Sequence, residues 1–314
     1  MDTSWLEDFL TLAECANFSR AAEQRHMTQP AFSRRIRALE EWVGTALFSR
    51  DTHQIALTPA GDCFRPAADE MLRRLRFARE EALETAGDTA LTLRFAATHA
   101  LSLTFFPAWL RTLESAGIAG PISLVADHMQ ACEALMLRGG AHFLLCHHHP
   151  RAATPLEDKG FVSHPLGMDR LVPVSAPDDG GNPLHRLPGT PEAPLPFLTY
   201  SPASGMGRIL TAAHTAAHLA DATFGHLRPV FTSHAASVLK TLALSGRGIA
   251  WAPLCLAADD LAAGRLVRAG DARWDVEIEI RLIRPRARQS RSAEAFWTHL
   301  QAQSEGVGAP SSPA

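Results

Sequence analysis

The segment from Asn17 to Gly61, NFSRAAEQRHMTQPAFSRRIRALEEWVGTALFSRDTHQIALTPAG, constrains the fold more than any other part of this chain. It reads as a short helix, a tight turn, a second helix and a small strand-containing wing. Ser19 is placed to cap the short helix, Ala21 and Ala22 let it lie close to its neighbours, and Met27 fills the turn. Thr28 is placed to cap the following helix, and Pro30 falls in its first turn, where a missing N–H does little harm. Phe32, Ile36, Leu39 and Val43 then recur at spacings of four, three and four, so they face a core. At about 100° per residue the opposite face carries Pro30, Arg34 and Arg37, with Ser33 beside them. A preceding helix over about residues 5–16 supplies a matching stripe of Trp5, Phe9, Leu12 and Ala16.

Arg25, Arg34, Arg35 and Arg37 lie in a stretch with no acid between Glu23 and Glu40. A helix pair with arginines on the exposed face of its second member suits docking in a major groove. Arg34 and Arg37 suit guanine edges or phosphates, and Gln29 an adenine edge or a phosphate. Ser19 and Arg20, at a helix N-terminus, suit a phosphate, as does Arg50 in the wing, and Thr28 is counted among the DNA-binding residues. The competing reading is a merely solvated arginine-rich face. Residues 1–60 hold six arginines against eight acids, so charge is concentrated on one helix. Modest non-specific affinity and reliance on two half-sites per dimer are expected from that balance.

The pieces FSRAAEQRHMTQPAFSRRIRALEEWVGTALFSR and LTPAG resemble, in order and spacing, the DNA-binding domain of LysR-type transcriptional regulators. The resemblance implies a winged helix-turn-helix over residues 1–60, a linker helix for dimerisation over 58–87, and a two-lobed effector domain. Its partners would be a double-stranded DNA operator, a small-molecule effector or oxidant, and further copies of the chain. A homodimer would form through the linker helix and a homotetramer through the sensor lobes.

At 314 residues the chain exceeds one small domain, and a net charge of −3 gives no bulk attraction to nucleic acid or membrane. No apolar run approaches the roughly 20 residues needed to span a bilayer, and MDTSWLEDFL lacks a signal peptide's basic start. Five scattered cysteines, Cys15, Cys63, Cys132, Cys146 and Cys255, suggest reduced thiols in a cytoplasm. Nucleophile elbow, Walker loop and HExxH are all missing, which argues against an enzyme and assigns no catalytic residue and no cofactor.

Thr58 and Pro59 start a long helix to about Thr85, with Gly87 ending it. Phe64, Ala68, Met71, Leu75, Ala78 and Ala82 form a heptad seam that suits pairing of two copies, packing on the protein's own body being the alternative. Pro66 removes a backbone hydrogen bond and is expected to bend the helix near its start.

From residue 91 to 303 the pattern becomes β-α-β-α-β, which predicts an α/β fold with a parallel sheet and right-handed crossovers. Lobe I is expected over 91–163 and 267–303, lobe II over 164–266, and a disordered tail over 304–314. SGRGIAWAP is similar to the LysR effector domain, which implies a periplasmic-binding-protein-like architecture. In such sheets ligands sit beyond the carboxyl ends of strands, against helix N-termini. That rule selects Thr98, His99, Ser102, His128 and His147 in the first lobe, and Ser201, Ser204, Met206, Thr232, Ser233 and His234 in the second.

Three readings of the cleft histidines stay open: a pocket for an anion or polar metabolite, a metal site, or a wet edge with no ligand role. CHHH is a poor metal set alone, because adjacent strand residues alternate faces; a closed site needs His99 or His128 as well. No metal is expected. YSPASGMGRIL and GIAWAP, with the N-terminal block, look like the hypochlorite-responsive HypT branch of the family. That resemblance implies oxidant sensing through methionine, with Met206 in the matching motif and Met129 and Met168 as weaker candidates. A thioether beside a helix start is chemically suited to reversible sulfoxidation; the plain alternative is a gap-filling core methionine. A regulator that senses a small anionic metabolite is the other reading, and a metal-binding or hydrolytic protein the alternative from another class.

Overall fold

The computed structural model describes residues 2–51, 54–86, 92–115, 120–216 and 226–306. Two compact units result, Met1–Thr89 with Leu137–Gly140, and Ala90–Met136 with Ala141–Ala314.

The first unit begins with α1 (Thr3–Cys15), α2 (Phe18–Gln24) and α3 (Gln29–Val43). A wing of antiparallel β1 (Phe48–Asp51) and β2 (Gln54–Leu57) follows, then α4 (Pro59–Thr85). Leu6, Phe9, Leu12, Phe32, Ile36 and Leu39 are buried together, as the two sequence stripes require. Phe9 is the hub, its ring 5.3 Å from both Phe48 of the wing and Phe64 of α4. Glu40 accepts the Leu47 and Phe48 amides at 2.9 and 3.1 Å, which ties the wing to α3. Gly61 has no room for a side chain: a Cβ there would lie 2.2 Å from the Leu47 carbonyl oxygen.

Two capping expectations are corrected. Asn17, not Ser19, caps α2, its Oδ1 accepting the Ser19 and Arg20 amides at 2.9 and 3.1 Å. Thr28 occupies the N-cap of α3 with extended backbone, but its side chain makes no capping bond. The heptad seam also divides. Ala68 is buried and Phe64 packs on the helix-turn-helix core, whereas Met71, Leu75, Ala78 and Ala82 are exposed. α4 is helical throughout, Pro66 included; Gly87 lies outside the described residues.

In the second unit β3 (Leu93–Thr98) leads to α5 (His99–Leu103) and α6 (Phe105–Ser115). The helical stretch after β3 breaks at Thr104, and Pro107 sits in the first turn of α6, where its missing N–H is harmless. β4 (Ile122–Asp127), α7 (Met129–Leu137) and β5 (Phe143–His148) complete the first crossovers, β3 pairing in parallel with both β4 and β5. β6 (Phe161–Ser175) is one long strand. Then come β7 (Leu195–Tyr200), α8 (Gly205–Ala216), β8 (Leu227–Ser233), α9 (Ala236–Leu244), β9 (Ala250–Pro253), α10 (Leu254–Ala262) and β10 (Val267–Arg268). β11 (Val276–Pro285) and α11 (Arg291–Gly306) close the described chain.

The large sheet has the order β10-β6-β11-β5-β3-β4, with β9 also on β6; β7 and β8 form a separate parallel pair. Two apolar cores divide this unit. Val162, Leu166, Ile280 and Leu282 pack in the core of β3 and β5, whereas Leu171, Val276 and Ile278 pack in the core around Trp251. The passage between lobes therefore falls inside β6 and β11, not in loops. α10 was not anticipated, because LCLAADDLAAG carries no strong cap. The tail expectation is corrected at its start: α11 continues to Gly306, and 307–314 lie outside the described residues.

Candidate functional site

The four arginines of the N-terminal block do two different jobs. Arg25 turns inward, its Nε donating to Asp8 at 2.7 Å and its Nη2 to Glu7 at 2.7 Å, and Arg35 reaches Asp8 at 3.3 Å. The Asp8 side chain is fully buried. Burial works to lower the Arg25 pKa, but Asp8 and Glu7 outweigh it and raise the guanidinium above its usual range. Arg34 and Arg37 are exposed, and among the described residues neither is held in an ion pair. Ser19, Arg20, Thr28, Gln29 and Pro30 are exposed and Ser33 half-buried, so α2 and α3 present one polar, cationic face. The amides of Ser19 and Arg20 are already taken by Asn17, leaving only their side chains for a phosphate. Arg50 stands on β1 opposite Ile55; its side chain lies outside the described part.

The second unit holds a cleft with about 410 Å³ of open space. Thr98, His99, His128, His147, Ser204, Met206 and His234 line it, with Asp127, Met129, Gly205 and Ala236. The starts of α5, α7, α8 and α9 converge there, and their first amides have no intrahelical acceptor. The His234 ring centre lies 5.9 Å from that of His99 and 5.3 Å from that of His128. His128 Nδ1 accepts the Ala131 amide at 3.2 Å and so caps α7, which leaves the neutral ring's proton on Nε2. Thr98 Oγ1 and His147 Nδ1 are buried in the lining without a hydrogen-bond partner. The cleft thus offers imidazoles, helix dipoles and unspent polar atoms, a set that suits a small anion.

Four expected residues are not in the lining. Ser102 donates back to the His99 carbonyl at 2.9 Å, within its own helix. Ser201 and Ser233 are joined by a 3.0 Å backbone bond at the end of the β7–β8 pair, and the Ser233 hydroxyl accepts the Ala235 amide at 3.1 Å. Thr232 is exposed on β8. His148 also lies apart, near Glu157 and Glu279; burial, and after it Arg281, hold its pKa below the usual imidazole value.

Met206 sits where the motif suggested, at the start of α8, but is only 7 % exposed and shares the lobe II core with Leu210 and Leu239. The glycines beside it permit this closeness: a Cβ on Gly205 would lie 3.2 Å from Met129, and one on Gly207 2.9 Å from the Ser201 oxygen. One turn along the same helix pair, Arg208 forms two 2.9 Å hydrogen bonds to Glu133, which Thr154 also contacts at 2.9 Å. Glu133 was missed by sequence reading. So were Asp169 and Cys255: His147 Nε2 donates to Asp169 Oδ2 at 2.9 Å, and Asp169 Oδ1 accepts the Cys255 amide at 3.2 Å. Burial tends to raise the Asp169 carboxyl, but its hydrogen bonds to His147 and Cys255 prevail and hold it below the usual carboxylate range.

A winged helix-turn-helix on a long helix, with a two-lobed α/β domain enclosing an anion-suited cleft, defines an effector-responsive DNA-binding regulator rather than an enzyme. Residues 3–62 match the bacterial regulatory helix-turn-helix model of the lysR family, and residues 86–305 match the LysR substrate binding domain. The chain belongs to the LysR family of transcriptional regulators. It is 32 % identical over 303 residues to the HTH-type transcriptional regulator YjiE of Escherichia coli (strain K12), covering 96 % of this chain and 94 % of that one. It resembles full-length HypT from Salmonella typhimurium, a hypochlorite-specific LysR-type regulator, at 30 % identity and TM-score 0.57, over 98 % of this chain and all of that one. Vibrio fischeri DarR in complex with DNA is similar at 31 % identity and TM-score 0.54, over 96 % and 98 % of the two chains.

Proposed function

We propose that this regulator responds to a hypochlorite-class oxidant in its effector cleft, with Met206 as the group that is oxidised. The observation that carries the reading is the thioether placed at the start of α8 in the lining of a cleft suited to anions. The thioether sulfur attacks the chlorine of HOCl and displaces hydroxide; water then displaces chloride from the chlorosulfonium sulfur, giving the sulfoxide, chloride and two protons, one of which neutralises the hydroxide. A sulfoxide oxygen accepts hydrogen bonds, and Ser204 and the free first amides of α8 are its nearest donors by chain position. It also puts a polar group into a position buried in the lobe II core, so oxidation shifts the balance between lobe arrangements. Both effects are local to Met206, and reductases reverse the sulfoxide.

Graded hypochlorite followed by peptide mass spectrometry, paired with reporter output, tests this. Met206 sulfoxide is expected to rise with the reporter, Met206→Gln to mimic the oxidised form in part, and Met206→Ile to stay unresponsive. A responding reporter with unoxidised Met206 would favour the second reading, a small anionic metabolite. The near-complete burial of Met206 supports that reading, because a packed thioether is a poor target for an oxidant in solution. Thermal shift against a panel of carboxylates and oxyanions separates the two.

The DNA contacts are assigned to the exposed face of α2 and α3, with Arg50 on the wing. Arg34→Ala is expected to lose about 1–3 kcal/mol of operator affinity if it reads a base. A loss uniform across sequences makes it a phosphate contact, and unchanged binding by a folded variant overturns the docking face. The exposed seam of Met71, Leu75, Ala78 and Ala82 is assigned to a homodimer in the cytoplasm, with tetramers through the effector domains. Met71→Glu with Leu75→Glu is expected to weaken association, because the charges would be buried at a helix pair; sedimentation of an unchanged dimer would place the contact elsewhere.

A further inference from the structure

We propose that His147, Asp169 and Cys255 form a binding site for one borderline transition-metal dication of the Zn²⁺ type, at the junction of the two lobes. The three residues come from β5, β6 and the first turn of α10, and one ligand atom from each lies within 4.8 Å of the other two. His147 and Asp169 side chains are 2 % and 5 % exposed. An imidazole nitrogen, a carboxylate oxygen and a thiol sulfur are the donors that such ions share, and they point away from Mg²⁺ or Ca²⁺, which take oxygen. Two ligands on one tetrahedral ion with bonds of roughly 2.0 Å stand about 3.3 Å apart, so His147 Nε2 and Asp169 Oδ2, hydrogen-bonded at 2.9 Å, need only a small opening to hold one.

Charge favours the same occupant. One carboxylate and one thiolate neutralise one dication, so the loaded site adds no net charge to a buried place. Without metal the thiol is hard to ionise: burial, then Asp169, push Cys255 up to about 12. Binding therefore releases one proton, from Cys255. The proton on His147 Nε2 moves to Nδ1, which has no partner in the protein. His147 also lines the effector cleft, so the metal would turn an acceptor nitrogen into a donor on the wall where an anion sits. Three protein ligands leave one tetrahedral position for water. The proposal does not depend on which effector the cleft takes.

The test is titration of chelator-stripped, untagged full-length protein with Co²⁺ as the probe, followed by near-ultraviolet and visible absorption. One equivalent should produce a thiolate-to-cobalt charge-transfer band with tetrahedral d–d bands, and Zn²⁺ should bleach both. Cys255→Ser should abolish the charge-transfer band, and Asp169→Asn should weaken binding by more than about tenfold, the lower end of what outer-shell changes cost. Cys63→Ser and the double change His128→Ala with His234→Ala should leave the spectrum as in the parent. No charge-transfer band in the parent protein overturns the site whether or not the variants fold. A band lost with Cys63→Ser, or Co²⁺ binding lost only in the His128/His234 variant, overturns it too by placing the metal elsewhere.

Discussion

Arg25→Met is expected to cost the N-terminal unit about 3 kcal/mol of folding free energy, near the lower end for breaking a buried ion pair. Asp8 is fully buried and would keep only Arg35, at 3.3 Å, where it now also has Arg25 at 2.7 Å. Glu7, a third exposed, can turn to water and adds little. In a unit of this size the melting midpoint should fall by more than about 10 °C. Calorimetry of the full chain measures it, with Arg34→Ala, at an exposed position of α3, as the control expected to melt as the parent does. Asp8→Asn combined with Arg25→Met should recover much of the loss, because the cost lies in the unpaired buried carboxylate rather than in the missing arginine. If Arg25→Met and Arg34→Ala melt alike, the inward pair holds nothing together.

The second large effect is expected in the effector domain. Arg208→Met removes both charge-assisted hydrogen bonds to Glu133, whose side chain is 5 % exposed, and leaves only the Thr154 hydroxyl as its partner. A loss of about 3 kcal/mol is expected here as well, because a buried carboxylate without its cation is the costly outcome. The functional consequence follows from position. Glu133 and Met129 are one turn apart on α7, and Arg208 and Gly205 one turn apart on α8, so pair and Met129–Gly205 contact lie along one helix interface. Loosening the pair should loosen the wall of the cleft beside Met206, and regulation should blunt together with stability. Glu133→Gln with Arg208→Met should restore most of the melting temperature; a single variant within about 0.5 kcal/mol of the parent would mean the pair is effectively solvated.

The sequence alone determined what repeats at short range. The stripe of Phe32, Ile36, Leu39 and Val43 placed α3 and its exposed face, because a helix brings residues three and four apart together whatever surrounds it. Alternating strands and helices after residue 91 determined the parallel β3, β4 and β5, and the strand-end rule found seven cleft residues, Met206 and four histidines among them. Tertiary structure decided everything that depends on partners distant in sequence. Arg25 reads like Arg34 until Asp8, 17 residues away, turns it inward. Ser102 and Ser201 satisfy the strand-end rule, yet local backbone bonding takes them out of the lining. Glu133 with Arg208, and His147 with Asp169 and Cys255, are joined across 75, 22 and 86 residues. No periodicity encodes such pairs: a side-chain contact across a long loop depends on how whole elements pack, and single-residue spacing carries no record of that.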